Sequence, residues 1–85
     1  MTTFDELYEK EANGFCEKVA LNIKKIRKKK DISQDTLAKA IGHKAGSSLI
    51  GKIEAGRENQ KYNLKQIYKI AKFMEVDVCE FFNEL

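Results

Sequence analysis

No proline occurs in these 85 residues, and glycine occurs only five times. The strongest helix breaker is therefore absent, and the second is rare. Cysteine is scarce too. Cys16 and Cys79 are far apart and form no metal-ligand spacing, and His43 is the single histidine. Two distant thiols in so helical a chain are expected to stay reduced. The sequence offers no nucleophile–base pair, no glycine loop to cradle a phosphate and no metal set, so it reads as a non-enzyme without a cofactor. No stretch is apolar enough to span a membrane, and the amino terminus, MTTFDELYEK, lacks the features of a secretion signal. A cytoplasmic location without membrane association is the expectation.

Lysine, glutamate, leucine, alanine and glutamine are abundant, which favours an all-α fold. A chain of this length supports one core. The net charge of +3 hides an uneven distribution. Residues 1–17 carry one lysine against five acids, residues 18–72 carry fifteen Lys/Arg against four acids, and residues 73–85 carry four acids and no base. A basic middle between acidic ends suits a polyanionic partner for the middle alone, or a solvated lysine-rich surface.

Thr3 and Glu6 have the form of a capping box, which predicts a short helix from about Phe4 to Ala12, with Asn13-Gly14 as a turn signal. Phe15, Val19, Ile23 and Ile26 recur at helical spacing and predict a second helix reaching about Lys30. Lys28, Lys29 and Lys30 fit its negative end and equally fit phosphate binding. Ser33 is an N-cap with Asp35 in the first turn; Leu37, Ala38 and Ile41 form a short buried stripe, and Gly42 ends the helix. Gly46, Ser47 and Ser48 each suit the start of the next helix, Ile50 and Ile53 its inner face, and Gly56 its end. Asn63 caps a helix with Leu64, Ile67, Ile70, Ala71 and Met74 inward. Asp77 caps a last one carrying Val78, Phe81 and Phe82. At least one of Phe81 and Phe82 must close the core, and the other suits either the core or a dimer seam.

Two short helices joined by a glycine-containing turn are the makings of a helix-turn-helix. The runs from Ser33 to Gly42 (SQDTLAKAIG) and from Leu49 to Gly56 (LIGKIEAG) resemble the Cro/repressor-type, or xenobiotic-response-element-type, helix-turn-helix family. The resemblance extends from about Val19 to Phe82. It implies a five-helix, lambda-repressor-like DNA-binding domain over residues 15–85; the acidic extension over residues 1–14, helical by its own pattern, lies outside the resemblance. It implies a sequence-specific regulator of transcription, a repressor by preference, that binds double-stranded DNA as a homodimer on two half-sites.

Carried onto this chain, the resemblance gives Ser47, Ser48 and Lys52 as base-reading residues. Serine discriminates poorly and lysine favours guanine. It gives Gln34 as a phosphate contact. Lys44, Arg57 and Lys61 are further phosphate candidates, with Lys65 beside them, and Arg27 and Glu54 are a pair tying the first helix to the recognition helix. Leu49 either meets the DNA edge or packs on the preceding helix. One departure stands out: from Gly42 to Ile50 the turn is about two residues longer than the family form, which shifts the expected placement of Ser47 and Ser48. A protein-interaction module that kept this fold without DNA binding is the alternative. The acidic amino-terminal segment has Phe4, Leu7 and Tyr8 at helical spacing. Three roles stand open for it: packing on the domain, forming the dimer contact, or binding a protein partner.

Overall fold

The computed structural model describes residues 3–42 and 47–83. Among them are four α-helices: α1 (Phe4–Lys29), α2 (Gln34–Ala40), α3 (Ser48–Ala55) and α4 (Leu64–Met74). A 3-10 helix, Val78–Phe82, follows.

The largest difference from the sequence reading is α1. The expected break at Asn13-Gly14 does not occur, and the two predicted helices are one element of 26 residues. A single interior glycine costs only ~1 kcal/mol relative to alanine. Here good helix formers stand just beyond its immediate neighbours, from Glu9 to Ala12 before it and at Glu17 and Lys18 after it. Thr3 caps the start, its hydroxyl accepting from the Glu6 N–H at 3.1 Å. At the far end Asp31 turns left-handed (φ 59°). The Asp31 N–H then donates to the Lys28 carbonyl and the Ile32 N–H to the Arg27 carbonyl, both at 3.0 Å. These bonds satisfy carbonyls that a helix end otherwise leaves to water.

The remaining boundaries follow local chemistry. Ser33 accepts from the Thr36 N–H at 3.0 Å. Gly42 and Gly56 adopt φ 75° and 69°, where a Cβ would be strained. Asn63 and Gln66 form a complete capping box, Asn63 Oδ1 accepting at 2.7 Å and Gln66 Oε1 accepting in return at 2.9 Å. Asp77 accepts from the Cys79 N–H at 2.9 Å, which holds its carboxyl below the usual range. The terminal element is a single 3-10 stretch rather than an α-helix.

Each element contributes one large, fully buried side chain: Ile23, Leu37, Ile50, Ile70 and Phe81. Val19, Ala38, Ile41, Ile67, Ala71 and Met74 complete the core. Asn22 fastens the 3-10 helix to α1, its side-chain amide donating to the Phe81 and Asn83 carbonyls at 3.0 Å each. Phe82 packs at the core's margin and stacks on Phe15 at 6.0 Å. Leu64 is a second correction: it is 80% exposed rather than inward. It occupies the first position of α4, at the edge of the stripe defined by Ile67, Ile70, Ala71 and Met74.

Candidate nucleic-acid interface

α2 and α3 pack against each other, and both rest on the core through Leu37, Ala38, Ile50 and Ile53. This leaves the outer face of α3 to solvent. Its orientation is fixed by Arg27 and Glu54, whose side chains are 8% and 3% exposed. The contact is bidentate: Arg27 Nε donates to Glu54 Oε2 at 2.8 Å and Nη2 to Oε1 at 2.9 Å. Arg27 Nη1 also donates to the Ile32 carbonyl at 2.7 Å, just before the Ser33 cap. One guanidinium therefore ties α1, the α1–α2 turn and α3 together, as the sequence pairing anticipated. Its planar fork suits this role, because three N–H groups point in fixed directions.

Gln34 joins the same cluster. Its Nε2 donates to Glu54 Oε1 at 3.0 Å, and its Oε1 faces Gly51, where an added Cβ would sit at an ordinary 3.6 Å. The expected phosphate ligand thus stands at the α2–α3 junction, half-buried, with its amide engaged by a carboxylate.

Lys52 projects from the middle of α3 and its ammonium lies 3.0 Å from Glu58 Oε2. Both side chains are open to solvent, so the pair is weak and exchangeable. Ser47 flanks the helix as its N-cap residue but makes no side-chain capping bond. Ser48 is exposed at the first helical position, and Leu49 is half-buried. After the helix, the Arg57 N–H closes the left-handed stop by donating to the Lys52 carbonyl at 2.8 Å, leaving its exposed side chain just beyond α3. Lys61 is half-buried and Lys65 exposed at the start of α4. Lys44, with His43, Ala45 and Gly46, lies outside the described residues.

Two more lysines belong to this surface: Lys28, from the run that the sequence fits equally to the helix end and to phosphate binding, and Lys24, which the sequence did not single out. Lys24 and Lys28 stand one turn apart on α1 and line a cleft of about 200 Å³ with Arg27, Gln34, Gly51, Glu54 and Ala55. The available signal was their spacing from Arg27, at three residues before and one after. The fold of α1 over α3, rather than the lysine run itself, turns them toward the motif.

Tyr62 lies close enough to this cluster to feel its charges. Its hydroxyl is buried without a hydrogen-bond partner. Burial first, and the Glu54 carboxylate second, push its ionisation well above the ordinary tyrosine value, with Arg27 opposing them.

The helix-turn-helix family model matches residues 23–81. The chain belongs to the helix-turn-helix family. The match begins at Ile23, inside α1, and ends at Phe81, so it reaches every element and leaves residues 4–22 of α1, with the buried Val19 and Ala20, outside. No curated protein and no solved structure matches the chain. No helix among the described residues is long and apolar enough to cross a membrane.

Proposed function

We propose that this helix-turn-helix protein is a sequence-specific, double-stranded DNA-binding regulator of transcription, acting as a repressor and binding as a homodimer. The observation that carries the reading is the way α3 is held: a buried, bidentate Arg27–Glu54 contact fixes the helix while its polar face stays in solvent. A helix so held fits the major groove, which is wide enough to admit one. Ser47, Ser48 and Lys52 meet base edges. Gln34, Arg57, Lys61 and Lys44 take phosphates, joined by Lys24 and Lys28 from α1. The functional domain spans residues 15–85 and residues 1–14 form an acidic extension.

One observation favours a second reading, a protein-interaction module with weak or no DNA binding. Gln34 and Lys52 are both engaged by carboxylates of their own chain. For DNA binding these contacts must exchange: Lys52 leaves Glu58 for a base or phosphate, at little cost for an exposed pair. Lys52→Glu separates the two readings. A DNA binder loses roughly tenfold or more in affinity, in keeping with a base contact worth about 1–3 kcal/mol. An interaction module shows no DNA affinity to lose.

A further inference from the structure

The chain leaves α3 through a run of left-handed backbone. Gly56 stops the helix, and after Arg57 come two consecutive residues with positive φ, Glu58 (54°) and Asn59 (58°). The Gln60 N–H donates to the Arg57 carbonyl at 3.1 Å and closes a tight turn around them. Positive φ at both central positions of a turn suits glycine, asparagine and aspartate. Asn59 fits that rule and Glu58 does not. The Glu58 carboxylate reaches back onto the recognition helix, where its Oε2 lies 3.0 Å from Lys52 Nζ. Between Ser48 and Lys72 the sequence holds only two acids, Glu54 and Glu58. Glu54 is buried and engaged by Arg27. Glu58 is therefore the one open carboxylate of that stretch, beside Arg57 and Lys61 on a surface otherwise suited to phosphates. Strain borne by a residue whose charge opposes its surroundings points to a function for that residue.

We infer that Glu58 sets sequence specificity: its carboxylate keeps Lys52 from phosphates in complexes with the wrong sequence and yields it only to a base edge. The inference rests on the DNA-binding reading. Binding to the wrong sequence is electrostatic and gains from each cation that displaces a counterion. In such a complex a phosphate offers Lys52 only what Glu58 already gives it, one solvent-exposed charge contact. The lysine stays on Glu58, and one counterion fewer is released. At the right site guanine O6 and N7 present Lys52 with acceptors inside the groove, at a distance that the other contacts fix. An exposed pair is weak enough to give way to them. Discrimination then comes from weakening the wrong complex, and not only from strengthening the right one. The left-handed turn is what brings an acid that far back over α3.

The test is the affinity of the full chain and of Glu58→Gln for random-sequence duplex and for DNA from upstream of its own coding sequence, over a series of salt concentrations. For the variant, affinity for random duplex should rise roughly threefold to fivefold at low salt, and affinity for upstream DNA by less than about twofold. The slope of log affinity against log salt on random duplex should steepen by about 0.9, the mark of one more phosphate neutralised. Glu58→Gly removes the same carboxylate, suits the left-handed backbone, and should act in the same direction. In a Lys52→Met background the effect of Glu58→Gln should largely vanish, because the carboxylate acts through that lysine. Wild-type binding with no change of affinity or slope in either Glu58 variant would overturn the inference and leave the DNA reading in place. An undiminished gain in the Lys52→Met background would also overturn it, since Glu58 would then merely repel the backbone. A loss of upstream affinity in Glu58→Gln would do so too, because the carboxylate would then be steadying Lys52 for its base. Absence of binding by every variant and the wild type at low salt would remove the DNA reading and this inference together.

Discussion

Arg27 presents its guanidinium to three acceptors in a setting where neither it nor Glu54 reaches water freely. Burying two charges is expensive, so such a pair adds little net stability over an apolar pair of similar shape. Its consequence is orientation. Breaking one side is another matter, because the remaining group is left without its partner. Glu54→Gln should destabilise the domain by about 3 kcal/mol or more, a large share of the 5–15 kcal/mol that holds most domains together. Thermal unfolding measures it. Replacing both residues with apolar side chains should recover most of the loss, and a double variant as unstable as the single one would contradict this account. Tyr62 is simpler. Its ionisation is raised above the ordinary value, chiefly by burial, so its contribution to stability is fully present below the unfolded value of about pH 10 and is lost as pH rises beyond it. Tyr62→Phe removes a buried hydroxyl that lacks a partner and should be neutral or stabilising at pH 7. In alkaline denaturation the variant should lose less stability above pH 10 than the wild type. An equal or greater loss would contradict the assignment. The Arg27–Glu54 pair was legible in the sequence because family resemblance names both positions. Tyr62 was not, since only the tertiary fold brings it near them.

Among the elements, α1 departs furthest from its sequence pattern. Asn13-Gly14 has the chemistry of a turn, but turn chemistry decides a boundary only where neighbouring residues do not hold the helix. No atom lies within 4 Å of a Cβ built at Gly14, so nothing in the fold requires glycine there. Gly14→Ala should therefore stabilise the protein by about 1 kcal/mol, raising the midpoint of thermal unfolding by about 4–8 °C if the segment unfolds with the domain. A fall in the midpoint would mean that the chain turns at Asn13-Gly14 in solution. The other caps were legible because each rests on a residue with a local role: Ser33, Gly42, Gly56, Asn63 and Asp77 act within one turn of their own positions. Asp31 was harder to place. It takes the left-handed position at the end of α1 that glycine fills at Gly42 and Gly56. Leu64 was misplaced because a periodic pattern does not say where along a helix the core stops.

The whole molecule measures 45 × 27 × 19 Å, its length matched by an α1 of roughly 39 Å. Charge is divided along it: the amino-terminal segment is acidic and the motif and its surroundings basic. A negatively charged arm does not approach a phosphate backbone, whereas the basic region does. The family and the presence of the motif were readable because two sequence halves occur in order, even with a turn between them about two residues longer than the family form. Which lysines face the motif was not, because that depends on how α1 crosses α3. The claim that this charge division serves DNA recognition is tested most directly by one measurement: the affinity of the purified protein for DNA from upstream of its own coding sequence and for random-sequence duplex, each at two salt concentrations. Tighter binding to the upstream DNA, with log affinity falling linearly against log salt, is the predicted result, and the slope divided by about −0.9 gives the number of phosphates neutralised. Absence of binding to both DNAs at low salt would contradict the account and leave the interaction module in its place.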